Sequence, residues 1–177
     1  MYRSLVANDA DTPATRELAL QAAQEGIVLL KNDGSLPISL NGSTIQVAMI
    51  GFWANAADKM LGGYSGTPPF RHDPVSAARS MGITVDYANG PLTQSHSDMN
   101  TAVSAAQRSN IILFFGGIDN TIEKESQDRT SIAWPSAQLS LIQRLSTLSK
   151  PIAVVRMGTH VDGTPLLSIS NVRATSG

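Results

Sequence analysis

Cysteine is absent from this 177-residue chain. Disulfides and thiol chemistry are therefore excluded, and the redox compartment cannot be inferred from cysteine usage. No charge of one sign dominates: 13 basic residues meet 14 acidic ones, for a formal net charge of −1. That balance gives no electrostatic reason to expect nucleic acid or an anionic membrane as partner, and no Lys/Arg run stands out. No apolar run approaches the ~20 residues that span a bilayer. The start, "MYRSLVANDADTPATREL", lacks a basic stretch followed by an apolar one, so it does not read as a signal peptide. There is no internal repeat and no low-complexity tract.

Several familiar sites are missing as well. "GGYSG" and "GGIDN" do not fit the G-x-G-x-x-G spacing of a dinucleotide loop, and no G-x-x-x-x-G-K-[ST] occurs. His72, His96 and His160 are far apart and form no H-x-x-x-H pair, so no metal site is expected. No serine sits in a G-x-S-x-G elbow. No cofactor is expected. One glycosylation tripeptide, Asn41-Gly42-Ser43, is present, a pattern that chance produces often.

What is present is an alternation of elements. Apolar residues make up 42% of the chain, enough for one core. Thr12 caps and Pro13 opens a helix over "ATRELALQAAQE", with Leu18, Ala19, Ala22 and Ala23 at helical spacing, stopped by Gly26. "IVLLK" reads as a short strand before the turn Asn32 to Gly34. Buried strands are expected at "TIQVAMIG", "NIILFFGG" and "PIAVVRMG", and another strand at "ITVDYA". Helices are expected at "PVSAARSMG" behind Asp73, at "MNTAVSAAQRS" with Ala102, Ala105 and Ala106 on its apolar side, and at "SAQLSLIQRLSTLS". The tail "SISNVRATSG" is polar and weakly patterned and is expected to fray. Continuous apolar strands separated by helices imply a mostly parallel sheet covered on both faces, an α/β three-layer α/β/α sandwich. Ligands bind outside the carboxyl ends of such strands. Three segments leave strand ends there: Phe52 to Phe70, Gly116 to Trp134, and Gly158 to Gly163.

Two of these segments carry candidate chemistry. Trp53, Tyr64 and Phe70 lie in a glycine-rich stretch where aromatic rings can stack on sugar faces, or simply pack beneath the loop. In "IEKESQDRTSIAWP", Glu123 and Glu125 flank Lys124, and Asp128 stands beside Arg129, where an ion pair between the two would stiffen the loop. A glycosidase needs two carboxyl groups, one of them an acid whose pKa is raised by burial or by a like charge. On the residues alone, a solvated acidic loop and one half of an acid/base pair both remain open.

The stretch "GGIDNTIEKESQDRTSIAWP" resembles the second domain of fungal β-xylosidases in glycoside hydrolase family 3. "EGIVLLKNDGSLP", "GFWANAADKMLGGYSG", "PIAVVRMG" and "VDGTPLL" agree with it in order, and the likeness runs from Tyr2 to Arg173. It implies retaining exo-hydrolysis of β-linked xylose from xylo-oligosaccharides or another β-glycoside. In the family's E-x-x-D-R pattern Glu125 is the acid/base, with Asp128 and Arg129 supporting the loop. Glu123 lies two positions too early, as a charge that tunes Glu125 or faces water. Tyr64 keeps an aromatic substrate-binding position in "LGGYSG", although Gly63 replaces an asparagine. His160 interrupts a more glycine-rich turn. The resemblance also implies that residues 1–12 are a linker remnant and residues 13–177 the sandwich, truncated at its C-terminal end. The nucleophile would belong to an absent barrel domain, so the isolated chain is expected to have little or no turnover and to expose an apolar face. An extracellular location follows from the resemblance alone. The rival readings are a non-catalytic carbohydrate-binding or interaction module and an incomplete gene product.

Overall fold

The computed structural model describes residues 4, 6–39, 45–62, 64–93 and 99–177. The tripeptide Asn41-Gly42-Ser43, Gly63 and His96 lie outside the described residues. Six strands form one sheet: β1 (Leu29–Asn32), β2 (Gln46–Ile50), β3 (Thr84–Ala88), β4 (Ile111–Gly117), β5 (Ile152–Met157) and β6 (Val172–Ser176). Their spatial order is β1-β6-β5-β4-β2-β3, and every neighbouring pair is parallel except β1 with β6.

The helices are α1 (Ala7–Ala10), α2 (Pro13–Gly26), α3 (Pro74–Ser80), α4 (Met99–Arg108), α5 (Ser136–Ser146) and α6 (Thr164–Leu167). Side chains alternate along a strand, so the central strands feed two cores. Ala48, Ile50, Ile112, Phe114, Ile152 and Val154 share one cluster with Ala102, Ala105 and Ala106 of α4 and with Leu141, Ile142 and Leu145 of α5. Val47, Met49, Ile111 and Phe115 join Val75 of α3 and Trp53 in the other. The three-layer α/β arrangement expected from the strand–helix alternation is thus present.

Local chemistry fixes the ends. The Thr12 hydroxyl accepts from the Thr15 N–H at 3.2 Å, and the Asp73 carboxylate accepts from the Ser76 N–H at 2.8 Å. Both helices then carry proline in their first turn, where a missing N–H costs nothing.

The tail departs from expectation. Far from fraying, Val172–Ser176 is an interior strand between β1 and β5, with Val172, Ala174 and Thr175 buried. Its small and polar residues conceal this in the sequence, because backbone pairing on both edges holds it more than side-chain volume does. α2 departs differently. It is a helix as its spacing predicts, yet none of its residues is buried, and Leu18 and Leu20 face solvent.

Candidate active site

The path of the chain creates a cleft. α3 carries β2 to β3 on one face of the sheet; α4 then carries β3 back past β2 to β4 on the other. The crossovers reverse between β2 and β4, and loops leaving the carboxyl ends of strands diverge at such a point. A cavity of about 310 Å³ opens there, lined by Trp53 and Asp58 to Gly62 after β2, Asp119 to Thr121 after β4, and Met157 and Gly158 at the end of β5.

The strands end in close backbone contact. Gly51 has φ 119° and Gly117 φ 132°. A Cβ at Gly51 would lie 2.1 Å from the Phe115 carbonyl oxygen, and one at Gly117 would lie 1.9 Å from that of Met157. Only glycine meets both demands. From α5, the buried Gln138 clamps the same point. Its Oε1 accepts from the Gly117 N–H at 2.9 Å, and its Nε2 donates to the carbonyls of Gly117 at 2.7 Å and Leu92 at 2.9 Å. Gln138 carried no signal in the sequence beyond its place in a helix.

The acidic loop starts from this clamp. The buried Asp119 accepts from the Thr121 N–H at 2.9 Å, and its own carbonyl accepts from the N–H groups of Ile122 at 3.0 Å and Glu123 at 3.2 Å. The chain then doubles back. Gln127 N–H donates to the Lys124 carbonyl at 2.9 Å, and Lys124 N–H to the Gln127 carbonyl at 3.2 Å. Glu125 and Ser126 form the tip of this two-residue turn, with Ser126 at φ 65°. The Gln127 side chain donates to the carbonyls of Thr121 at 2.9 Å and Ile122 at 3.2 Å, bracing the turn from beneath.

Glu125 therefore stands exposed at the apex. The Tyr64 hydroxyl donates to its Oε2, although the tyrosine itself is 91% exposed. Two residues far apart in sequence thus meet.

One expectation needs correction. The Arg129 guanidinium does not pair with Asp128. Its Nε lies 2.6 Å from Glu123 Oε2, without hydrogen-bond geometry, and Asp128 is exposed. The turn folds the Arg129 leg back beside the Glu123 leg, so the acid across the turn is the one it reaches. Glu123 accordingly does not simply face water; the Thr159 hydroxyl also donates to its Oε2 at 3.0 Å. Of the two readings open for Trp53, packing beneath the loop is the one realised. The residue is 5% exposed, packed edge-on to Phe52 with ring centroids 5.6 Å apart, and its Nε1 is buried without a partner. A ring so covered offers no face for a sugar. Phe70 is half-exposed, with the Arg16 guanidinium 5.2 Å from its ring centre.

Nearby, Asp162 is held below the usual carboxylate range. Hydrogen bonds from the side chain and then the backbone of Thr164 are the main causes, with the charge of Arg156 helping. Among the described residues no group of three or more His, Cys, Asp or Glu side chains is arranged to hold a metal ion. No described helix is long and apolar enough to cross a membrane.

Comparison with known proteins bears on this geometry. The family profile described as the glycosyl hydrolase family 3 C-terminal domain matches residues 27–175. Over 174 residues the chain is 47% identical to a probable exo-1,4-beta-xylosidase of Aspergillus terreus, covering 97% of this chain and 22% of that protein. A probable exo-1,4-beta-xylosidase of Aspergillus flavus is 42% identical over 177 residues, again 22% of its length. A solved family 3 exo-beta-xylosidase, in complex with a xylobiose aziridine activity-based probe, superposes with a TM-score of 0.85 at 41% identity, covering 96% of this chain and 24% of that one. A beta-glucosidase of Bifidobacterium adolescentis gives 0.83 at 28% identity, covering 98% and 26%. The chain therefore spans about a quarter or less of the proteins it matches.

Proposed function

The chain belongs to glycosyl hydrolase family 3, as its C-terminal domain, and from that membership we propose that it carries the acid/base half of an exo-β-xylosidase, with Glu125 as the proton carrier. The observation that supports this most is the presentation of Glu125. It is the apical carboxylate of a braced turn, at the ligand-binding edge of the sheet, with one oxygen engaged by Tyr64.

In the proposed reaction the protonated Glu125 donates to the leaving glycosidic oxygen of a xylo-oligosaccharide. A carboxylate from elsewhere in the full-length protein attacks the anomeric carbon. Glu125, now ionised, takes a proton from the water that releases xylose. Retention needs the two carboxyl groups about 5–5.5 Å apart across a sugar. Glu123 is a poor nucleophile here, since Arg129 and Thr159 already engage its carboxylate on the same loop. Hence the second carboxylate is assigned to a barrel domain. Action outside the cell is part of the same proposal. The rival sugar-binding reading keeps Tyr64 and the half-exposed Phe70 as accessible rings and loses Trp53, which is in the core.

The isolated chain is expected to leave an aryl β-xyloside unhydrolysed. Turnover by the chain alone, abolished by Glu125→Gln, would remove the need for a second domain. In a chain extended to the relatives' length, Glu125→Gln is expected to lower kcat on xylobiose by about 10²–10⁴-fold. The loss should be smaller on a dinitrophenyl xyloside, whose leaving group needs no proton. Equal activity of the variant on xylobiose would exclude Glu125 as the acid.

A further inference from the structure

The acid at the apex is only as well aimed as the legs beneath it. Those legs carry a second carboxylate. Glu123 lies on the outgoing leg and Arg129 on the returning one, and their charged atoms approach to 2.6 Å. Both side chains are largely covered, at 30% and 13% exposure. The same Glu123 oxygen accepts from Thr159, just beyond β5. One oxygen thus joins three backbone segments: the two legs of the turn and the exit of the adjacent strand.

We propose that Glu123 is a positioning residue, which with Arg129 and Thr159 fixes the orientation in which the turn presents Glu125. The inference rests on the acid/base reading for its meaning in catalysis, and on the contacts alone for its existence. An ion pair at this degree of cover is screened less than a surface pair. It also spans the turn, where it restrains the two legs against each other. The Lys124–Gln127 hydrogen bonds close only the apex. Without Glu123 the turn keeps the Gln127 brace to Thr121 and Ile122 but rocks more readily against the exit of β5, which loads and opens the Lys124–Gln127 bonds. The tie to Thr159 blocks that rocking, and through it the exit of β5 and the acid loop move as one body.

The test is local amide exchange on the intact 177-residue chain, read residue by residue by NMR. In Glu123→Gln, the Gln127 amide is expected to exchange about tenfold faster or more, while amides of Ile112 to Phe115 in β4 keep their rates. The hydrogen bond from the Tyr64 hydroxyl to Glu125, followed through the Tyr64 ring shifts, should weaken in the same variant, which a residue serving general stability alone would leave untouched. The exchange of charges in Glu123→Arg with Arg129→Glu should restore part of the Gln127 protection. Thr159→Val removes one exposed hydroxyl and should give a smaller loss at Gln127; it carries the comparison if Glu123→Gln does not fold. Unchanged Gln127 exchange in both variants overturns the proposal. Glu125→Gln should leave Gln127 protected, so failure of Glu125 as a proton donor and failure of the clamp are read by different experiments.

Discussion

Gln138 is a buried amide whose two polar atoms are fully engaged with backbone groups of Gly117 and Leu92. Replacing it with alanine strands one N–H and two carbonyls in the core and opens a cavity. A loss of about 2–4 kcal/mol is expected, read as a lowered urea midpoint. Asp162 makes a different prediction. Its folded pKa is depressed below that of an unfolded aspartate, about 3.9. Its contribution to stability is therefore present above that value and lost as pH falls through the lower folded one. Urea unfolding of the wild type and Asp162→Asn should differ at pH 5 and converge toward pH 2. A constant difference would assign the effect to the shape of the side chain and not to its charge. At this scale the sequence was a partial guide. Glu125 and Tyr64 were singled out by the family resemblance, and the structure brings their side chains into contact. Gln138 and the partner of Glu123 were not, because each contact joins segments that only the folded sheet places side by side.

Among the elements, α4 shows how a helix end is satisfied at long range. Lys150, just before β5, donates to the carbonyls of Ala106 at 2.8 Å, Gln107 at 2.6 Å and Ser109. A cation at a helix C-terminus engages both the orphan carbonyls and the dipole. Lys150→Met is expected to cost roughly 1–2 kcal/mol, measured by thermal or urea unfolding, with the alanine face of α4 retained in the core. The elements with strong periodicity and a buried face, α4, α5, β2, β4 and β5, were readable because burial on one or both faces imprints the sequence. β6 was not. Val172, Ala174 and Thr175 are buried by neighbours that pair through backbone groups, and "VRATS" carries little hydrophobic signature. The periodicity of α2 was readable, but its environment was not, since a stripe of Leu and Ala says that a face will be covered without saying by what.

For the whole molecule, that uncovered stripe has a physical cost. Leu18 and Leu20 of α2 are exposed, as are Ile27, Val28, Leu29 and Leu30 in and before β1. A contiguous run of this kind is unusual on a monomer. The isolated chain is expected to self-associate, seen as a mass that rises with concentration in light scattering. Leu18→Glu with Leu20→Lys should reduce that association with little change in the unfolding midpoint, because neither side chain contributes to the core. A monodisperse wild-type monomer at high concentration would show that the face is tolerated in water.

The pairing of β1 with β6 also sets an order of events. β1 is made early, yet its hydrogen-bonding neighbour is the last strand of the chain. At ribosomal rates of roughly 5–20 residues per second, the wait is on the order of ten seconds. Throughout that interval Leu29 to Asn32 have an unsatisfied edge and exposed leucines, the features that chaperones and stray strands capture. Val28 and Gly177 then exchange backbone hydrogen bonds at 3.0 and 3.1 Å, extending the β1–β6 pairing by one residue pair. Formation of the β1–β6 pair is therefore a timing event during synthesis, decided by the arrival of the five residues Val172–Ser176.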